Sequence, residues 1–240
     1  MTIRSRIIGA LSGLLLAGSV QAAEQGIFDV TLLGVRAATI SFAGQIDGGQ
    51  YAASGQLRTT GLLRLVAQVS YDAQVQGRFR RGQFQPRLYR ESARDGDEQF
   101  SAEMRYRGRV PQPKGYAPPR NRPSGLNPAS QAGTVDVMTT IFAVLRDQSR
   151  AQVCDVALQL FDGARRSQVV LTRPEALPGD QIRCAGEYRR LQGFSAEAMA
   201  EQQRFPFSLT YSGLPDGTYR VTRVDTQTTF GRASLRRRTP

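Results

Sequence analysis

The stretch Gly133 to Asp147, GTVDVMTTIFAVLRD, decides how this chain folds. Met138, Ile141, Phe142 and Leu145 fall at i, i+3, i+4 and i+7, the spacing that gathers apolar side chains on one helical face. The spacing predicts a helix over 133–147. The segments on either side alternate apolar and polar residues instead, so the helix has only sheet to bury its stripe against. The expected fold is mainly β: a curved antiparallel sheet or partly open β-barrel of about ten strands, with one main helix packed on the concave side.

Upstream, the alternation begins with Phe28, Val30 and Leu32, continues with Ile40, Phe42 and Ile46, and resumes at Tyr51, Ala53, Gly55 and Leu57 after the Asp47-Gly48-Gly49 turn. It is clearest where Leu63, Leu65, Ala67, Val69, Tyr71, Ala73, Val75 and Phe79 share one phase, broken only by Gly77. That run exceeds an ordinary strand, so a bend or split is expected at Ala73 or Gly77. Gln83 to Ser92 reads as a strand that Pro86 demotes to an edge or a bulge. Phe100, Ala102, Met104 and Tyr106 alternate after the Asp95-Gly96 turn. From 110 to 128 the pattern stops, and a proline-rich basic surface loop is expected.

Downstream, Cys154, Val156, Leu158 and Leu160 share a phase, as do Ile182, Cys184 and Tyr188. Ser195 to Gln203 reads as a short helix with Ser195 as its N-cap. Phe205, Phe207, Leu209 and Tyr211 alternate again, and 231–240 reads as a basic tail.

Arg4 and Arg6 followed by the apolar run Ile7 to Val20, then Val20-Gln21-Ala22, have the layout of a secretory signal peptide over 1–22, cleaved after Ala22. The run is shorter than the ~20 residues that a bilayer-spanning helix needs, so no transmembrane segment is expected. The product, 23–240, is expected to be one β domain in the periplasm. An oxidising compartment favours a Cys154–Cys184 disulfide.

The formal charge is +12, carried by arginine apart from Lys114, and it falls to +10 without Arg4 and Arg6. For an exported protein, the expected partner of such a charge is an anionic lipid or glycolipid rather than nucleic acid. Arginines solvating an outer sheet face account for the same numbers.

Several of these pieces, in this order, resemble an exported bacterial family known as domain of unknown function 3108. The carriers are FDVTLLGVRAATISF, YAASGQLRTTGLLRLV, QFQPRLY, VDVMTTIFAVLRD and CAGEYRRLQGFS. The resemblance implies an envelope β-protein without an established activity, and it supplies no functional residues.

The chain has no histidine, which removes Ser-His-Asp and Cys-His nucleophile systems and the usual zinc sites. Asp95, Asp97 and Glu98 cluster where a hairpin tip is expected, and Glu187 lies beside Arg189 as in a surface ion pair. No catalytic residue, metal ligand or cofactor is expected. The expected function is binding of a hydrophobic or amphipathic anionic envelope ligand by the inward-facing Leu65, Tyr71, Phe100, Tyr106, Met138 and Phe142. The second expectation is a structural or assembly factor of the envelope, acting through protein or polymer contacts on its outer surface. A hydrolase ranks third and needs two carboxylates about 5–10 Å apart.

Overall fold

The computed structural model describes residues 23–61, 64, 68–117, 125–228 and 231–239. The expected leader over 1–22, Leu65, and residues 118–124 of the proline-rich stretch lie outside them.

Seven strands come first: β1 (Glu24–Leu32), β2 (Val35–Asp47), β3 (Gln50–Thr59), β4 (Val69–Arg80), β5 (Gln83–Asp95), β6 (Glu98–Arg107) and β7 (Val110–Ala117). A 3-10 turn (Pro128–Gln131) and the helix α1 (Val137–Leu145) follow. The chain then forms β8 (Gln148–Ser149), β9 (Val156–Phe161), β10 (Arg166–Leu177), β11 (Gln181–Gln192), the helix α2 (Ala196–Glu201), β12 (Arg204–Gly213), β13 (Thr218–Thr228) and β14 (Gly231–Arg237).

Among the described residues one sheet holds fourteen strands, in the order β7-β6-β5-β4-β3-β2-β1-β14-β13-β12-β11-β10-β9, with β8 paired to β13. It is two antiparallel meanders joined where the first strand meets the last: Val30 lies opposite Leu235, and Leu32 opposite Ala233. The sheet curls until its ends, β7 and β9, approach one another. Residues 125–136 span the seam. Gly133 N donates to Arg109 O (3.0 Å) at the β7 side, while Val135 N donates to Gln159 O and Phe161 N to Val135 O (both 2.9 Å) at the β9 side. The backbone groups of both sheet ends are thereby partly satisfied, which blunts two edges that would otherwise template other chains.

The seam segment then turns inward as α1. Asp136 caps it, accepting from Thr139 N at 2.8 Å. Met138 and Phe142 have no exposed surface, and burying two such side chains stabilises the fold by roughly 1.5–3 kcal/mol each. The helix is shorter than 133–147 because Val135 spends its backbone on the bridge to Leu160, and Arg146 already turns extended.

Four other expectations are corrected. The strands number fourteen rather than ten, and two of the additional ones lie in stretches read as irregular. Residues 110–117 are β7, not loop: Pro111 and Pro113 sit opposite Tyr106 and Met104, and only an edge strand can hold prolines whose missing N–H faces away from the ladder. The basic tail is β14, a central strand whose Ala233 and Leu235 face inward while Arg232 and Arg236 face solvent. Cys154 precedes β9 in a turn with φ 65° rather than lying in the strand, and the disulfide to Cys184 forms across a Cα–Cα distance of 5.3 Å. The long run upstream bends at Gly77, where the register shifts opposite Pro86. A Cβ on Gly77 would stand 2.4 Å from Gln85 O, so the bend admits glycine alone.

Candidate ligand site inside the barrel

α1 packs against β2, β3, β4, β5 and β9. The fit is close. A Cβ on Gly44 would lie 2.5 Å from the Phe142 ring, and one on Gly55 would lie 2.8 Å from Met138 Sδ. Phe84 meets Phe142 edge-on at 6.1 Å and Tyr51 at 4.9 Å. Met138 and Phe142 therefore fill this side of the interior, and glycines were needed to seat them.

A polar network surrounds the start of the helix. Asp136 is fully buried and accepts from Thr139 Oγ1 at 2.7 Å, while Thr139 Oγ1 lies 2.7 Å from the Tyr51 hydroxyl. Burial pushes the Asp136 carboxyl up to about 6, against the lowering pull of the Thr139 donors. The Tyr106 hydroxyl is buried without a hydrogen-bond partner, and burial drives its phenol well up. A second cluster lies nearby on β4 and β5. The Tyr71 and Tyr89 hydroxyls stand 2.5 Å apart, and each donates to Glu91 Oε2 at 2.7 Å.

The other side of the interior is less covered. Val30, Leu235 and Val224 are cross-strand neighbours in one inward row of β1, β14 and β13. Ile40 and Leu57 are neighbours in the next row, on β2 and β3. All five, with Leu32, are only half-buried, and so are Val137, Ile141 and Val144 on α1. These side chains form an apolar strip at the edge of the core, where Ile40, Val224, Leu235 and the three helix residues pack against it and keep part of their surface open.

The charges near the strip are placed by the sheet. Arg237 faces inward from β14, beside Phe28, and its guanidinium lies over the Phe28 and Phe42 rings at 5.5 and 5.6 Å. It donates to Val221 O (3.4 Å) and to Gln25 O, and no carboxylate among the described residues lies within ion-pair reach. Gly26 makes the room, since a Cβ there would stand 2.8 Å from the guanidinium carbon. Beside it, Asp147 N donates to Glu24 Oε2 at 2.7 Å, and Arg220 Nη2 meets Asp147 Oδ2 at 2.5 Å. Burial raises the Glu24 carboxyl, and the Asp147 partner holds Arg220 above the usual guanidinium range.

Of the residues expected to line a cavity, Tyr71 and Tyr106 do face inward, packed against the core, and Met138 and Phe142 are the core itself. Phe100 is half-buried opposite Ala93, and Leu65 lies outside the described residues. Two residues escaped the sequence reading. Glu91 shares the phase of Tyr89, and Arg237 that of Leu235. Both follow from extending a period of two through residues that look polar or tail-like. Asp95, Asp97 and Glu98 sit exposed at the β5–β6 tip, and Glu187 pairs with Arg189. Among the described residues no group of three or more side chains could hold a metal ion, and no helix is long and apolar enough to cross a membrane.

The outer face carries one further feature. A half-open groove crosses the outward side of β1–β5, with Ser41, Ser54, Gln56 and Gln74 in its floor and Arg90 and Arg238 at its margins.

Residues 27–181 match the family described as protein of unknown function, DUF3108. The chain belongs to this family. The DUF3108 match takes in β2–β10 and α1, with most of β1, and stops at the first residue of β11, while β12–β14 complete the same sheet. A crystal structure of a β-barrel-like protein of domain of unknown function DUF1849 from Brucella abortus is similar to this DUF3108 chain at a TM-score of 0.47 and 11% identity, over 90% of this chain and 95% of that one. No curated protein matches it.

Proposed function

We propose that the protein is an exported, non-enzymatic binder of an amphipathic anionic ligand of the cell envelope, such as an anionic lipid or glycolipid. The observation that carries the reading is an inward apolar row that stays half-buried. α1 is seated tightly on β2–β5, while the inward row Val30, Leu235 and Val224, with Ile40 and Leu57, keeps part of its apolar surface open. An acyl chain along that strip removes apolar surface from water, at roughly 25 cal/mol per Å². Arg237, inward and without a carboxylate partner among the described residues, supplies the cation for a head group.

Mass spectrometry of the protein purified natively from the envelope tests this. The expected result is a co-purifying amphiphile that is lost in Leu57→Gln. A protein of bare polypeptide mass, which also fails to take up a fluorescent fatty acid or lysophospholipid, overturns the proposal.

A second reading has its own support in the outer groove, whose hydroxyl and amide floor with arginine margins suits a polar or acidic polymer. Under it the protein is an assembly factor working from its outer surface. Crosslinking in cells separates the two: adducts at Gln56 or Gln74 with an empty interior favour the second.

A further inference from the structure

The β1–β2 turn presents aliphatic side chains to solvent. Leu33 is 69% exposed and Val35 54%, the two most exposed large apolar residues described. Leu33 also sits at φ 51°, in the left-handed region that a branched aliphatic residue rarely adopts and that glycine or asparagine occupies at little cost. The sequence thus places a costly residue where a cheap one would fold better, and leaves most of it in water. Its side chain lies over Gly231, where a Cβ would stand 2.4 Å from it, and its N donates to Arg232 O at 2.9 Å.

The surroundings are basic. Arg232 is exposed and has no carboxylate partner among the described residues. Arg36 follows Val35 directly; further along β1 it shares the carboxylate of Asp29 with Arg238, at 2.5 and 2.7 Å, which leaves a net positive charge on that outer strip. Two protruding aliphatic side chains with Arg232 and Arg36 beside them complement a surface that is anionic outside and apolar a few ångströms in.

We propose that the Leu33–Val35 turn docks the protein on the surface of an anionic lipid bilayer, inserting both side chains at the head-group level. The half-buried Leu32 directly precedes the turn, so docking sets one end of the inward apolar strip against the membrane. The use of that placement, passage of a lipid between bilayer and barrel, rests on the function proposed above; the docking does not.

The test is co-sedimentation of the purified protein with vesicles of phosphatidylcholine, with and without phosphatidylglycerol. Binding to the phosphatidylglycerol vesicles alone is expected. Leu33→Asn should weaken it about tenfold, the effect of withdrawing one aliphatic side chain, and Arg232→Gln about fivefold. Leu33→Asn should leave the melting temperature unchanged or raise it, so lost binding is not lost folding. Undiminished binding by Leu33→Asn overturns the proposal. So does a wild-type protein that binds neither vesicle or both alike, or one that captures a protein partner through the turn without binding lipid. An empty barrel with intact vesicle binding sinks the ligand reading and leaves the docking standing, and a loaded barrel without vesicle binding does the reverse.

Discussion

Asp136 shows how a single carboxylate can serve and burden a fold. Its oxygens cap α1, yet it is fully buried, and burial lifts it to about 6 from an ordinary 3.8. Below 3.8 the folded and unfolded chains both hold the proton. Between the two values only the folded chain does, so stability falls as pH rises through that window, by about 3 kcal/mol in all. Asp136→Asn keeps the cap without the buried charge. Its urea midpoint should therefore match or exceed the wild type at pH 7, and it should lack the gain in stability that the wild type shows between pH 7 and pH 4. The glycines make a second prediction at this scale. Gly44→Ala drives a methyl into the Phe142 ring, which has no exposed surface to retreat to, and should cost about 1–3 kcal/mol in chemical denaturation. Neither fact was legible beforehand. The sequence places Asp136 before an apolar run, as a cap requires, but says nothing of its depth. Gly44 falls in the phase of Phe42 and Ile46, and nothing local says which side chain will stand against it.

At the scale of elements, legibility followed how much of each element's pattern was local. The alternation in β3, β4 and β6 was plain because one face of each strand is dry and the other wet. β7 was missed because prolines at 111 and 113 hide an alternation that only its pairing with β6 reveals. β14 was missed because arginine occupies both its solvent face and one inward position. The interior site was half legible: the inward phase announced Tyr71 and Tyr106, but which side the helix would fill depends on contacts far apart in sequence. The disulfide was legible from the expected compartment and the cysteine count, and it ties the turn before β9 to β11 across a separation of 30 residues. Replacing both cysteines with alanine should lower unfolding free energy by roughly 3–4 kcal/mol in the chain-entropy treatment. Thiol labelling of the native protein without reductant should find neither cysteine reactive.

For the whole molecule, the sheet order matters more than any one strand. The two meanders meet only along β1 and β14, and the seam opposite is closed by the segment leading into α1. Ending the chain at Thr228 removes β14 and opens two long central edges at once, those of β1 and β13. Such a chain should lose its cooperative thermal transition and aggregate, which calorimetry and light scattering would register. A tail that merely solvates the protein would leave both measurements unchanged.

Pairing the first strand with the last also sets a timetable. Made from its amino end, the chain delivers β1 first and its partner β14 only after every other strand of the sheet. For that interval Val30 and Leu32 lack the neighbours that later flank them, and the second meander has nothing to close upon. Closure is thus a late, slow and non-local step, and until it is complete the unpaired edges of β1 and β13 stay open to aggregation.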